Sequence, residues 1–146
     1  MGKCTSVDLD LPEVWRGDVR ADFSAATARI LAYWADECAR DLDRLMTHFT
    51  GDAEVITPDG AHKGHAAVAA LYQKSFDSYP GLAVDVTAAF PGRDGHCVEY
   101  KAVLSDTGGI HWLIEGVNVM KLEGGLIASL RSFEDAPHRL PVADPS

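Results

Sequence analysis

Cysteine is scarce: Cys4, Cys38 and Cys97 stand far apart, with no C-x-x-C pair. An odd, scattered set argues against a disulfide framework or a structural zinc site, and reduced thiols in a cytoplasm are the expectation. No apolar run nears the roughly 18 residues a bilayer span needs. Asp8, Asp10 and Glu13 interrupt what a signal peptide would need as an apolar core, so no secretory leader is expected. Met1-Gly2-Lys3-Cys4-Thr5-Ser6 fits a myristoylation pattern, but acids rather than a polybasic stretch follow it, and no membrane partner is expected. Positive charge is also in deficit: 13 Lys and Arg against 22 Asp and Glu give a net charge of −9. Such a surface repels phosphate backbones, which excludes nucleic acid as an expected partner.

What remains is a chain of 146 residues, 47% apolar, sized for one domain with a real core. Residues 1–22 read as an N-terminal arm, where Leu9, Leu11, Val14 and Trp15 alternate with acids without a sustained period. The tail, residues 136–146, carries Pro137, Pro141 and Pro145, which excludes regular helix and central strand. Residues 23–135 form the body. Ser24 is placed to cap a helix running to about Arg40, with Ile30, Trp34 and Cys38 on one face and Tyr33 beside it. Asp41 caps a shorter helix with Leu42, Leu45, Met46 and Phe49 apolar, ended by Gly51-Asp52. Residues 53–57 read as a strand stopped by Pro58-Asp59-Gly60. A third helix over residues 65–78 carries Val68, Leu71, Tyr72 and Phe76 as an apolar stripe. Four strand-like segments follow, residues 82–90, 96–105, 110–122 and 126–134, parted by glycine-rich turns. Sequential strands with short loops make an antiparallel meander. Helices first and strands after give the α+β class, with a curved antiparallel sheet wrapped around helices as a cone-like α+β barrel.

Several local runs carry a family likeness. Tyr33-Trp34 precedes Asp41-Leu42-Asp43, an Asp-x-Asp entry to the second helix. Phe49-Thr50-Gly51-Asp52-Ala53-Glu54-Val55 has the form Phe-x-x-Asp-Ala-x-Val, and Gly64 stands ahead of Ala67-Val68 at the third helix. Glu123-Gly124-Gly125-Leu126-Ile127 and Arg131-Ser132-Phe133-Glu134-Asp135 close the chain as a hairpin. In this order the chain resembles the nuclear-transport-factor-2-like superfamily, in its SnoaL-like polyketide cyclase and ketosteroid isomerase branch. The resemblance covers about residues 25–135. It implies a hydrophobic pocket without cofactor, and a homodimer through the open sheet face, where Leu113, Val117 and Val119 lie opposite Asn118. It also implies that Tyr33 occupies the place of the tyrosine that donates to a substrate oxygen, and that Asn118 occupies the place of the second donor. The base position of the isomerases falls at Thr57, beside Pro58. The Arg and Asp of the epoxide hydrolases fall at Tyr100 and Ala102. The last-strand acid of hydrolases and cyclases falls at Ser132, and the first-helix acid of the dehydratases at Cys38. Four acid positions therefore hold other residues, and a fold of this kind does not fix the function by itself.

Strand alternation tells which other side chains share the pocket face. Ser132 pairs with Glu134 in facing; Asn118 with Trp112, Ile114 and Gly116; Tyr100 with Val98, Ala102 and Leu104. The expected catalytic set is Tyr33, Asn118 and Glu134, and the expected substrate-binding set is Thr57, Tyr100, Trp112, Ile114 and Ser132. Glu134 is the one carboxylate of the set, and an apolar pocket raises its pKa toward general acid or base work. His62 and His65 are not read as a metal pair, because Gly64 breaks any helix between them; His48, His96 and His138 read as surface residues. These readings lead to a cofactor-independent isomerase, cyclase or dehydratase for a hydrophobic oxygenated small molecule, such as a polyketide or terpenoid ketone. The alternative is a ligand-binding or assembly module that keeps the fold without the base.

Overall fold

Period-two alternation in the second half of the chain builds most of the sheet. The computed structural model describes residues 3–5, 25–92 and 95–141. In chain order these form β1 (Lys3–Thr5), α1 (Ala25–Cys38), α2 (Leu42–Met46), β2 (Phe49–Thr57), β3 (Gly60–Lys63), α3 (His65–Ser78), β4 (Gly81–Pro91), β5 (Gly95–Ser105), β6 (His111–Glu123), β7 (Leu126–Glu134) and β8 (His138–Arg139). The strand order is β1-β4-β5-β6-β7-β2-β3, with β8 paired to β6. The expected meander is present as β4 to β7, each antiparallel to the next.

The sheet is nevertheless mixed rather than antiparallel, and it is open. β2 runs parallel to β7, and β1 and β3 are its two ends. After β3 and α3 the chain crosses to the far side of the sheet, and three successive reversals from β4 bring β7 beside β2 pointing the same way. The second helix is also shorter than its apolar residues suggested. It ends at Met46, and Phe49 already begins β2, because the amide of Ile127 on β7 donates to the His48 carbonyl at 2.7 Å. Gly51-Asp52, expected as a helix stop, lie inside β2, where its register with β7 shifts between Phe49 and Glu54. Asp41 does cap α2, accepting from the Arg44 amide at 3.1 Å. A cap at Ser24 and all but residues 3–5 of the N-terminal arm lie outside the described residues.

The core lies between α1, α3 and the inner sheet face. Ile30, Trp34 and Cys38 from α1 meet Val68 and Phe76 from α3 and Val98, Met120 and Leu130 from the sheet. Fully burying one such large side chain contributes roughly 1.5–3 kcal/mol. Cys38 is disulfide-bonded, while Cys97 is free. The reading of all three cysteines as reduced thiols fails at Cys38, and the argument from thiols to a cytoplasm loses its premise. Among the described residues no helix is long and apolar enough to cross a membrane. The tail does not leave the body at once: Pro137 and Pro141 bracket the two-residue β8, which lies against Trp112 and Leu113.

Two histidines read as surface residues are buried. His48 Nε2 lies 2.6 Å from Asp36 Oδ2, and its Nδ1 lies 3.1 Å from Arg29 Nη1. A guanidinium only donates, so Nδ1 accepts and the Nε2–H donates to Asp36. Arg29 Nε also donates to the Gly125 carbonyl at 3.0 Å. This chain ties α1 to the β6–β7 turn and to the start of β2, through partners too far apart in sequence to be read from it. His65 Nε2–H donates to the Met46 carbonyl at 3.1 Å, so it links α3 to α2. His96 holds Thr27 Oγ1 through Nε2 at 2.9 Å, and its Nδ1 is buried without a partner.

Desolvation lowers the pKa of His96 from its ordinary 6.5. The unfolded chain therefore takes up a proton that the folded chain refuses, and stability falls as pH drops below about 6.5 toward the lowered folded value. Urea denaturation between pH 8 and pH 5 should show this loss, and His96→Gln should flatten the pH dependence relative to wild type. Identical slopes for both proteins would remove His96 as the cause.

Candidate active site

Register decides which side chains share a space. Across β5, β6 and β7, Tyr100 faces Gly116 and Gly116 faces Glu134; Val98 faces Asn118 and Asn118 faces Ser132; Ala102 faces Ile114. These rows lie under α1 and α3 and bound a cavity of about 640 Å³. Tyr33, Thr57, Tyr100, Ile114, Asn118, Ser132 and Glu134 line it. Trp112 does not. It shares the sheet face but sits opposite Leu104 at the strand end, where its Nε1–H donates to Asp106 Oδ2 at 3.1 Å. Alternation gives the face of a residue but not its distance from the cavity.

Tyr33 is buried on α1, and its hydroxyl lies 2.7 Å from the Tyr72 hydroxyl of α3. Burial, and next the charge of Glu37, hold both phenols well above their ordinary pKa. Both stay protonated at neutral pH and can donate. Trp34 stacks at a tilt against Tyr100, centroids 5.3 Å apart, and extends this aromatic wall onto the sheet. The Tyr100 hydroxyl reaches Ser132 Oγ at 3.4 Å, and burial raises its pKa as well. Gly116 makes room for that ring: a Cβ there would come within 2.7 Å of the Tyr100 hydroxyl and 2.8 Å of the Phe133 carbonyl. Thr57 spends its hydroxyl on the turn, accepting from the Asp59 amide at 3.3 Å.

Glu134 is not the one carboxylate, as the sequence suggested. Glu37, Asp59 and Asp135 line the same cavity. Glu37 stands four residues after Tyr33 on α1, one turn on and on the same face. Desolvation raises its pKa, with the Arg40 charge and a Tyr33 hydrogen bond opposing and Glu134 adding. Sequence reasoning missed Glu37; the i+4 spacing from Tyr33 was the available signal. Glu134 is exposed at the cavity mouth, its pKa raised by desolvation on the cavity side and then by Asp59 and Asp135. Asn118 is 5% exposed, and its Oδ1 has no hydrogen-bond partner. The arrangement can present protonated phenols to an oxygen and a carboxylate to a nearby proton, within largely apolar walls.

Residues 27–130 match the family model for the SnoaL-like domain. Among curated proteins, none matches the chain by sequence. Solved structures of similar fold include a Δ5-3-ketosteroid isomerase from Mycobacterium sp., 21% identical over 81% of this chain and 100% of that one, TM-score 0.72. A Mycobacterium tuberculosis protein in complex with estradiol-17β-hemisuccinate is 22% identical over 76% and 94%, TM-score 0.68. An NTF2-like protein of unknown function from Burkholderia pseudomallei is 16% identical over 77% and 92%, TM-score 0.71. At these identities the likeness is one of fold.

Gly116→Ala should displace Tyr100 and strain the β6–β7 ladder, at a cost of about 1–3 kcal/mol. Chemical denaturation against wild type measures it. An alanine variant as stable as wild type would show that the ring does not need this space.

Proposed function

The chain belongs to the SnoaL-like domain family of the nuclear-transport-factor-2-like superfamily, and from that premise we propose that it is a cofactor-independent enzyme. Its substrate is a hydrophobic oxygenated small molecule, such as a polyketide or terpenoid ketone, and its reaction an isomerisation, cyclisation or dehydration. The observation that carries this reading is the Tyr33–Tyr72 pair at 2.7 Å with Glu37 one helical turn away, all lining one cavity. Tyr33 donates to the substrate carbonyl oxygen as negative charge gathers there, with Tyr72 holding its hydroxyl in place. Glu37 takes the proton from the adjacent carbon, and a raised carboxylate pKa suits that task near neutral pH. Glu134 at the mouth exchanges protons with water. Asn118 and Ser132 orient the substrate, and Tyr100, Ile114 and the Thr57 edge give it an apolar seat.

A second reading rests on Cys38, Thr57, Ala102 and Ser132, which stand where related enzymes keep acids: the fold serves as a binding or assembly module. Deuterium exchange separates the two readings without knowledge of the natural substrate. An enolisable apolar ketone, 2-tetralone, is incubated with the protein in D₂O and followed by NMR. The enzyme reading expects exchange above a heat-denatured control, a loss of about 100-fold or more in Glu37→Gln, and a loss below about tenfold in Glu134→Gln. Wild-type exchange no faster than the denatured control favours the module.

The partner we propose is a second copy of this chain, seated on the outer sheet face. Leu113, Val117 and Val119 lie there half-buried, and Phe133 is 51% exposed beneath the Arg131 guanidinium. Light scattering after gel filtration should give twice the chain mass of 15.7 kDa; a monomer mass rejects the dimer.

A further inference from the structure

The polar groups of the cavity are unevenly matched. The Tyr33 and Tyr72 hydroxyls hold each other, and the Tyr100 hydroxyl holds Ser132. What is left over accepts hydrogen bonds or carries negative charge. Asn118 Oδ1 is buried without a donor. Glu37 makes none of the ion pairs among the described residues; a Tyr33 hydrogen bond and the nearby Arg40 charge are what meet its carboxylate. Four carboxylates, Glu37, Asp59, Glu134 and Asp135, line the cavity against a single cation, Lys74, which is exposed at the edge. Beside them stands a continuous aromatic wall: Tyr33 lies 5.7 Å from Trp34 and 6.2 Å from Tyr72, and Trp34 lies 5.3 Å from Tyr100, between ring centroids. An unused acceptor, an excess of carboxylates over cations and π faces call for the same complement, a group that brings positive charge and N–H donors.

Resting on the reading of this cavity as the ligand site, we propose that its ligand carries a positively charged nitrogen: a protonated amine on a hydrophobic, oxygenated body, held by the Glu37 carboxylate, Asn118 Oδ1 and the aromatic wall. The same contact prepares Glu37 for chemistry. Burial favours its neutral form in the empty cavity, and a cation beside it favours the carboxylate. A bound amine therefore shifts Glu37 toward its ionised form, which couples binding to proton release. An anionic ligand of the same size meets repulsion from the carboxylates around the cavity and has no cation but Lys74 among the lining residues to offset it.

Three ligands on one skeleton isolate the charge: 3-phenylpropylamine, 3-phenylpropan-1-ol and 3-phenylpropanoate, titrated calorimetrically into the full chain at pH 7 and low salt. The amine should bind about tenfold or more tighter than the alcohol, and the carboxylate weaker than either, as a charged hydrogen bond and a cation–π contact require. Its heat should change with the ionisation enthalpy of the buffer, reporting proton release. In Glu37→Gln the amine's advantage should shrink to about threefold or less, the size of an exposed ion pair, while the alcohol, still bound, reports an intact cavity. An alcohol or carboxylate that matches or exceeds the amine overturns the cationic ligand and leaves the cavity reading standing. An undiminished amine advantage in the variant overturns the part given to Glu37. Failure of all three to bind overturns the proposal and the cavity reading together.

Discussion

The register between β5, β6 and β7 is the constraint on which the rest depends. Side chains alternate along a strand, so a slip of one residue would turn Tyr100, Asn118, Ser132 and Glu134 from the cavity to the outer face together. The pairing of β5 with β6 runs unbroken from Gly95 opposite Lys121 to Ser105 opposite His111. It is pinned by what it buries: Val98 and Met120 are fully enclosed on the inner face, and Leu130 of β7 nearly so. Charged residues such as Lys101 and Glu115 face outward and pair at 3.0 Å. Either slip would bury those charges and expose the core, so the same hydrophobic pattern that folds the sheet also aims the cavity groups.

The sheet alone would not make a cavity, because a concave apolar face closes on whatever covers it. Here the cover is two helices that meet through tyrosines. Tyr33 and Tyr72 are joined by their hydroxyls, their rings pack edge-on to each other, and Phe49 lies 5.8 Å from each, edge-on to Tyr33 and tilted to Tyr72. Rings locked in this way cannot swing down to fill the space above Asn118 and Tyr100. The Asp36–His48–Arg29 chain then holds α1 to the opposite rim.

What could be read from the sequence follows from this. The four long strands were legible because period-two patterns and glycine turns are local, and β7 runs over Leu126–Glu134, the span its sequence indicated. Seven of the eight expected site residues line the cavity: Tyr33, Thr57, Tyr100, Asn118 and Ser132 followed from the family likeness, and Glu134 and Ile114 from the alternation that fixes a face. The parallel pairing of β2 with β7 was not legible, since it joins segments some 75 residues apart and leaves no local trace. Phe49 suited a helix stripe as well as a strand. His48 and His96 were hidden because their partners, Asp36, Arg29 and Thr27, are remote. Glu37 was hidden for a different reason. A charged residue on a helix ordinarily marks the solvated face, and only its spacing from Tyr33 says otherwise.

Groups whose hydrogen-bonding needs go unmet separate into two kinds by position. His96 Nδ1 and the Arg40 Nε and Nη2 are buried without partners, and neither residue lines the cavity. Nothing entering the cavity can satisfy them, so they are a standing cost to the fold. Arg40 offsets part of it by laying its guanidinium 4.6 Å over the Phe76 ring, from a backbone held at φ 56°, a conformation few non-glycine residues take. Asn118 Oδ1 is different, because it stands on the cavity wall. Its cost is removable by a ligand of matching chemistry, and whatever binds the folded chain alone stabilises it in turn. An acceptor left open at the one place a small molecule can reach is therefore a binding capacity, while the same defect elsewhere is only strain.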